Sequence, residues 1–242
     1  MLRSLLKRYL YVPYDVIRST KYFFQTKFVA EFGEDHLLKE LFQDVDNGVY
    51  LDIGCHHPFR ESNTYYFYAE KGWTGLNIDV SKVSIKLFDI FRPKDININI
   101  GIGLREGMSA FYEFSPLHCQ NTFDKPTAEE VQRRTGQKYR ETERQISTIE
   151  SVLKTHDIRK IDYLNIDAEG LDTLILGSFP FSLMRPRVIT LEAHIMIGTP
   201  EYFALEEKAK KYGYIVISCC GPTYFLADKE QLRKSKWNFF TV

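Results

Sequence analysis

The sequence has 242 residues, of which 44% are hydrophobic and 14% aromatic, so it can build a substantial core and is unlike a disordered chain. Basic and acidic residues both number 32. This balance argues against a dedicated nucleic-acid binder, which usually carries a basic excess. The four cysteines are too few and too irregularly spaced for a disulfide framework or a zinc knuckle, which favours a cytoplasmic protein. No apolar run reaches the ~20 residues needed to span a bilayer.

The first segment, residues 1–32, differs in composition from the rest. Residues 1–28 contain six lysines and arginines and many aromatic residues, against a single acid, Asp15. One interpretation is an amphipathic element that lies on an anionic membrane surface, at the inner face of the membrane. The alternative is an N-terminal helix pair that packs on the domain or on a partner subunit of a homodimer.

Two neighbouring candidate strands end in acids. The stretch 49–58 (VYLDIGCHHP) is typical of a buried parallel strand that opens into a ligand-binding turn. The next candidate strand, 74–79, ends at Asp79. In open α/β sheets, ligands bind in the crevice beyond the carboxyl ends of the strands. Because a carboxylate can accept hydrogen bonds from both ribose hydroxyls, Asp52 and Asp79 predict a nucleoside-binding edge.

Strand and helix alternate through the remaining domain, residues 33–242. This alternation predicts an α/β fold with a mainly parallel sheet, helices on both faces and an antiparallel hairpin at one edge. Residues 108–114 are predicted to be an additional extended segment. Residues 115–145 are the least regular part and are predicted to be a lid or acceptor-binding insertion. The predicted strands of the sheet are 49–53, 74–79, 96–100, 161–166, 187–191, 214–218 and 222–227.

The residues in three blocks resemble those of a known enzyme family. The blocks YLDIGCHHPFRESNTYYFYAEKGWTGLNIDVS, IDYLNIDAEGLD and RPRVITLEAH are similar to the FkbM family of O-methyltransferases. The resemblance covers roughly Val49 to Leu226 and implies a Rossmann-like class I methyltransferase with a seven-stranded sheet. It also implies S-adenosylmethionine as cofactor and transfer of a methyl group to a hydroxyl of a small molecule or glycan sugar.

The resemblance implies roles for individual residues. Asp52 and Gly54, with the adjacent Cys55, are assigned to the methionine end of the cofactor. Asp79 is assigned to the ribose hydroxyls, and the turn at Gly101–Ile102 to the adenine side. These assignments place every cofactor contact on the first three strands or directly after them.

The turn after the first strand departs from the acid-x-Gly-x-Gly-x-Gly pattern of the methyltransferase superfamily. His56 and Pro58 occupy the second and third glycine positions. The turn is therefore bulkier than usual. Asn63, with the neighbouring Ser62 and Thr64, is predicted to supply hydrogen-bond donors to the cofactor carboxylate instead.

Acceptor activation is expected at the ends of the fourth and fifth strands. A neutral hydroxyl is a poor nucleophile, so it needs a base or a metal. Asp167 follows the fourth strand, and Glu192 and His194 end the fifth, two residues apart and therefore on the same side. Asp167 or His194 is predicted to be the base. The alternative is a divalent metal, Mg²⁺ or Mn²⁺, although the spacing matches no diagnostic metal motif.

Two further functions are compatible with parts of the pattern. A nicotinamide-dependent oxidoreductase would also place an acid after the second strand. It would need G-x-G-x-x-G after the first strand, however, and Gly54 to Phe59 fails that pattern. A non-catalytic, membrane-associated binding module that retains the fold is the third hypothesis.

Overall fold

The computed structural model describes residues 11–13, 16 and 29–234. Most of residues 1–28 therefore lie outside the described part, and the membrane and packing hypotheses for that segment stay predictions. Within the described part, every helix is too short or too polar to cross a membrane.

The described elements follow the predicted alternation closely. The helices are α1 (Glu34–Leu41), α2 (Tyr65–Glu70), α3 (Lys82–Phe91), α4 (Lys125–Thr135), α5 (Ile149–Thr155), α6 (Asp172–Ser178), α7 (Pro200–Lys211) and α8 (Lys229–Lys234). The strands are β1 (Val49–Ile53), β2 (Thr74–Asp79), β3 (Ile96–Asn99), β4 (Gly101–Ile102), β5 (Gly107–Glu113), β6 (Arg140–Ser147), β7 (Tyr163–Ile166), β8 (Val188–Glu192), β9 (Tyr214–Cys220) and β10 (Thr223–Asp228).

Seven of these strands form the central sheet, in the order β3-β2-β1-β7-β8-β10-β9. The five strands from β3 to β8 are parallel, and β10 runs antiparallel to both of its neighbours. The predicted parallel sheet and its closing hairpin are therefore confirmed. The order also places β1 beside both β2 and β7, so the acids that follow these three strands meet at one edge.

The core lies on both faces of this sheet, because each strand alternates its side chains. On one face, Leu51 and Ile53 of β1 pack in a cluster that includes residues from α5, α6 and α7. On the other face, Tyr50 packs with residues from α1 and α2, and with Trp73. The predicted covering of both faces by helices is confirmed.

The segment 115–145 is more regular than predicted. It contains α4, whose N-cap Asp124 accepts a hydrogen bond from Thr127 N, and most of β6. β6 joins β4 and β5 in a second, three-stranded sheet. The prediction of an extended segment at 108–114 is confirmed by β5. The polar alternation of β6 (RETERQIS) hid the strand, since half of its residues are exposed.

A row of polar side chains crosses the central sheet on the face that α1 and α2 cover. Backbone register places Asn97, Asn77, Asp52, Asn165 and Thr190 side by side on five adjacent strands. Asn165 donates to Asp52 Oδ1 at 2.9 Å and accepts from the Thr190 hydroxyl at 2.6 Å. Buried polar groups are costly unless they are hydrogen-bonded, so this row fixes how the strands align.

Candidate active site

A cavity of about 280 Å³ opens at the carboxyl ends of β1, β2, β7 and β8. This is the edge that the sequence predicted. The cavity is lined by the turn after β1, the end of β2, residues 116–123 and the acids that follow β7 and end β8. Ten residues predicted to act in binding or catalysis border it: Asp52, Gly54, Cys55, Asn63, Asp79, Gly101, Ile102, Asp167, Glu192 and His194. Of the two neighbours of Asn63 also predicted to supply donors, Ser62 borders the cavity, whereas Thr64 is fully buried behind it.

Gly54 begins the turn after β1. Its φ of 77° lies in the left-handed region, which favours glycine. A Cβ on this residue would lie 1.7 Å from the carbonyl oxygen of Asp167, a distance that no side chain can occupy. The Gly54 N–H donates to Ile78 O at 2.9 Å. Gly54 therefore allows the chain to pass in contact with the end of β7 while it stays bonded to β2.

Backbone strain concentrates around this cavity. Five described non-glycine residues have a positive φ, and three of them, His56, Glu61 and Glu169, line the cavity. His56, with φ 50°, adopts a glycine-like conformation at the second glycine position of the superfamily pattern. Residues held in sparsely populated conformations cluster at functional sites, so this distribution independently marks the cavity as the site.

Asp79 holds two turns at the end of β2. Its Oδ2 accepts from His56 N at 2.9 Å, and its Oδ1 accepts from Ser81 N at 2.6 Å. Burial raises its pKa, and the two backbone donors oppose that rise. The Ser84 side chain also hydrogen-bonds to this carboxylate and opposes the rise. Because a carboxylate has about four acceptor positions, about one remains for a hydroxyl group of a ligand.

Asp52 is only 2% exposed and is held from two sides. Oδ1 accepts from Asn165, and Oδ2 accepts from the Thr64 hydroxyl at 2.7 Å. Thr64 occupies the N-cap position of α2 but makes no side-chain cap bond. Its hydroxyl binds the buried carboxylate instead of capping the helix.

Asn63 connects the turn to β7. Its Nδ2 donates to Asn165 Oδ1 at 3.1 Å, while its own Oδ1 is buried with no hydrogen-bond partner in the structure. A buried acceptor without a partner costs about 1–3 kcal/mol. Because Asn63 borders the cavity, a ligand donor would remove that cost.

The remaining predicted cofactor residues shape the cavity wall. The Cys55 thiol packs with Ile85 and Phe88, so this residue contributes mainly its backbone. Burial raises its thiol pKa well above the usual value. Gly101 lies against the Phe123 ring, 2.5 Å from the position of a Cβ, and Ile102 is 4% exposed.

Residues 116–123 form the wall facing these strands. The Ser81 hydroxyl donates to Pro116 O at 2.5 Å, and Thr122 Oγ1 donates to Glu169 O at 2.7 Å. This stretch therefore bridges from the turn after β2 to the turn after β7. It is the part of the predicted insertion 115–145 that borders the cavity along its length.

Three carboxylates meet where β7 and β8 end. The oxygens of Asp167, Glu169 and Glu192 lie within 4.8 Å of one another. His194 is largely exposed, and its Nε2 lies 3.4 Å from Glu192 Oε1. The structure thus brings Asp167, Glu192 and His194 together, as the sequence predicted. Glu169 completes the group, which we name the acid cluster (Asp167, Glu169 and Glu192).

The acid cluster disfavours full ionisation. Burial raises the pKa of Asp167 well above its usual value, and the neighbouring Glu192 charge adds to that rise. Burial, with the charge of Glu192, raises the pKa of Glu169 to about 8. Asp172, which accepts from Ala168 N at 2.8 Å, has its pKa raised to about 7, chiefly by burial. Protons are therefore held here near neutral pH.

We expect Glu169→Gln to stabilise the protein at alkaline pH. The folded-state pKa is about 8, against 4.5 for an ordinary glutamate. The folded protein therefore binds more protons between these values, so stability falls as pH rises through this window. The variant should raise the melting temperature more at pH 8.5 than at pH 5, by ~2–4 °C per kcal/mol recovered. Exposed Glu141→Gln is the control, and a pH-independent shift would contradict the prediction.

Three site residues escaped the sequence analysis. Asn165 links Asp52 to Asn63, and Arg92 lies buried behind the turn. Asn77 lies in the same buried row. Asn165 and Asn77 each interrupt an otherwise apolar strand (YLNI and TGLNID), and an amide inside a buried strand is the available signal. Arg92 follows a helix (FDIFRPKD) and resembles an ordinary exposed C-terminal cation.

The fold and the cavity define an α/β protein with a cavity at the carboxyl edge of a mainly parallel sheet. Residues 52–216 match the family model described as "Methyltransferase FkbM domain". This match covers more than half of the chain, which therefore belongs to the FkbM methyltransferase family. No curated protein and no solved structure gives a significant match to this chain.

Proposed function

We propose that this protein is an S-adenosylmethionine-dependent O-methyltransferase of the Rossmann-like class I fold. The observation that carries the proposal is a single cavity lined by two chemically different groups of residues. Asp79 ends β2 and the acid cluster lies at the ends of β7 and β8, with the Gly54 turn of β1 between them. The strand order, with one antiparallel strand near the edge, supports the class I assignment.

The residues present fit S-adenosylmethionine. Asp79 offers its remaining acceptor capacity to a ribose hydroxyl. Gly54 allows the turn after β1 to lie against the end of β7, which brings both strand ends to the cavity. The unpartnered Oδ1 of Asn63 offers an acceptor for the ammonium of the methionine end. The adenine side would lie between Gly101–Ile102 and residues 116–123, which form facing walls.

Within this proposal, the acid cluster activates the acceptor. When bound, S-adenosylmethionine supplies an electrophilic methyl group on a sulfonium centre. The ionised member of the Asp167–Glu192 pair would take the proton from the acceptor hydroxyl as the hydroxyl oxygen bonds to the methyl carbon and the methyl–sulfur bond breaks, which leaves S-adenosylhomocysteine. Burial and the adjacent Glu192 charge raise the pKa of Asp167, which makes its ionised carboxylate a stronger base. His194 can then accept the proton at the rim.

A divalent metal is the second candidate for the same step. Three carboxylate oxygens within 4.8 Å suit the oxygen preference of Mg²⁺ and Mn²⁺. A metal there would increase the oxyanion character of the acceptor hydroxyl. The base hypothesis and the metal hypothesis use the same residues, and they differ in their response to chelators.

The acceptor and the cellular setting are part of the proposal. The carboxylates at the acceptor end favour a neutral hydroxylated compound, such as a sugar of a glycan. The proposed setting is the cytoplasm, with peripheral contact of residues 1–28 to the inner membrane face and assembly as a homodimer. The chain lacks the glycine pattern that a nicotinamide-dependent oxidoreductase would need after Gly54. The alternative of a non-catalytic binding module predicts cofactor binding without turnover.

Binding of S-adenosylmethionine by calorimetry tests the proposed function, and Asp79→Ala tests the site. We expect the variant to bind at least 10-fold more weakly, since charge-assisted hydrogen bonds contribute roughly 1.5–3 kcal/mol each. Asp79 also holds the backbone of His56 and Ser81, so a second ligand is needed as control. The 2′,3′-dideoxy analogue of S-adenosylhomocysteine lacks both ribose hydroxyls.

The loss caused by Asp79→Ala should be much smaller for that analogue than for S-adenosylhomocysteine itself. This difference isolates the contact between Asp79 and the hydroxyls from any change in the turns. Equal losses for both ligands would remove Asp79 from the ribose site. Wild-type protein that binds NAD but not S-adenosylmethionine would overturn the proposed function.

A further inference from the structure

Arg92 is a fully buried arginine directly after α3. Its side chain is 0% exposed, although arginine is almost never fully buried unless it is paired. The guanidinium lies beside the aromatic rings of α2 and α3, with its carbon 4.9 Å from the centroid of Phe88. It makes no direct ion pair with a carboxylate among the described residues. A buried cation of this kind needs strong compensation from hydrogen bonds.

The guanidinium donates most of its hydrogen bonds to one short segment, the turn at residues 58–64. Nε and Nη2 both donate to Pro58 O, at 3.1 and 2.5 Å. Nη2 also donates to Ser62 Oγ at 2.8 Å, and Nη1 donates to Thr64 Oγ1 at 2.8 Å. Arg92 therefore grips this turn at both its start and its end, through the planar geometry that only arginine has.

Two hydroxyl groups bridge Arg92 to buried carboxylates through hydrogen bonds. Thr64 Oγ1 accepts from Arg92 and donates to Asp52 Oδ2. The Tyr50 hydroxyl accepts from Nη1 at 3.5 Å and donates to Asp95 Oδ2. The positive charge thus lowers the pKa of both aspartates, against the rise caused by their burial. Each hydroxyl has only one proton, so the direction of these bonds is fixed.

The turn held by Arg92 carries a cofactor-facing residue. Asn63 lies between Ser62 and Thr64, the two residues whose hydroxyls bind the guanidinium. We propose that Arg92 is a positioning residue for the cofactor. Arg92 holds the turn in the shape that places Asn63 at the cavity wall. This inference rests on the proposed function for the identity of the ligand, but not for the shape of the turn.

The test compares two arginine-to-lysine variants. Arg92→Lys keeps the charge but cannot bond Pro58, Ser62 and Thr64 together. Arg185→Lys is the matched control, because Arg185 also pairs with a buried carboxylate, Asp228, but at the opposite edge of the sheet.

For Arg92→Lys, we expect cofactor affinity about 10-fold weaker or more, the scale of one charge-assisted hydrogen bond. The turnover rate at saturating cofactor should stay within about 3-fold, because the acid cluster is untouched. Arg185→Lys should change neither quantity. Hydrogen exchange of the amides of residues 59–64 should accelerate in Arg92→Lys alone.

Should Arg92→Lys fail to fold, Ser62→Ala removes one bond from Arg92 and leaves the cation in place. It should weaken cofactor binding less, and in the same direction, with faster exchange in the turn. Unchanged affinity in a folded Arg92→Lys protein, or an equal loss in Arg185→Lys, would overturn the proposal. If the wild type binds no S-adenosylmethionine, the proposed function fails, and exchange in the turn still decides whether Arg92 holds it.

Discussion

Gly54→Ala is expected to abolish cofactor binding and to destabilise the protein by several kcal/mol. The new Cβ would lie 1.7 Å from the Asp167 carbonyl oxygen, and that oxygen belongs to the backbone, which cannot rotate away. The left-handed φ of 77° adds about 1 kcal/mol or more of strain for any side chain. The ends of β1 and β7 must therefore separate, at the point where the two halves of the cavity meet.

Gly136→Ala provides a matched control for this prediction. Gly136 ends α4 with φ 71°, close to that of Gly54, but a Cβ there has no neighbour within 4 Å. The control measures the conformational cost alone. Thermal unfolding and calorimetric titration with S-adenosylmethionine should show a small loss of stability and intact binding for Gly136→Ala. Similar behaviour of the two variants would show that the contact between Gly54 and Asp167 is unimportant.

The edge of the sheet could be predicted because it depends on local and periodic features. Short apolar runs with Asp52 and Asp79 at or near their ends predict parallel strands that deliver their acids to one edge. The same reasoning predicted that Asp167 and Glu192 would meet, and the structure places them in one cluster. The positions of these acids could be predicted because the carboxyl ends of all the parallel strands border the same crevice.

The hydrogen-bond partners inside the site could not be predicted, since they join residues far apart in sequence. Thr64 looked like a helix cap, yet its hydroxyl binds Asp52 and Arg92. Asn165 joins Asp52 across 113 positions of the chain. Such contacts depend on the register between β1 and β7, which periodicity alone does not determine.

The helix α4 was missed for a different reason. Its boundary signals are local and present: Asp124 as N-cap, Pro126 in the first turn and Gly136 as C-cap. The surrounding charges and prolines outweighed them in the sequence analysis. The helix buries only Ala128 and Val131, so its apolar stripe is too narrow to predict a helix from periodicity.

Two groups of residues around the cavity are held by different physical means. Around the residues proposed to bind the cofactor, the chain relies on backbone geometry and on buried hydrogen bonds. In the acid cluster, like charges lie close together at a cost in stability. Such a cost is tolerated where function requires it, and perturbed pKa values of this kind mark candidate bases.

Asp167→Asn is expected to lower the turnover rate by about 10²-fold or more, the usual scale for loss of a general base. Glu192→Gln should have a comparable effect, because the two carboxyl groups act as a pair. Cofactor affinity should change much less, since the residues proposed to bind S-adenosylmethionine lie on β1, β2 and β4 or in the turn after β1, whereas the acid cluster lies at the ends of β7 and β8. The measurement needs an acceptor identified by screening nucleotide sugars and oligosaccharides.

The pH profile and the response to chelators separate the base from the metal hypothesis. A base acts only when ionised, so the turnover rate should rise with pH through the raised pKa of Asp167. EDTA should then have little effect. If the acid cluster binds a metal, EDTA should abolish activity and Mg²⁺ or Mn²⁺ should restore it.

Glu61→Gln removes a cavity carboxyl outside the cluster and should change the rate less than about 3-fold, the limit expected for a surface charge. Full activity in an Asp167→Asn, Glu192→Gln double variant would exclude the acid cluster from catalysis under either hypothesis.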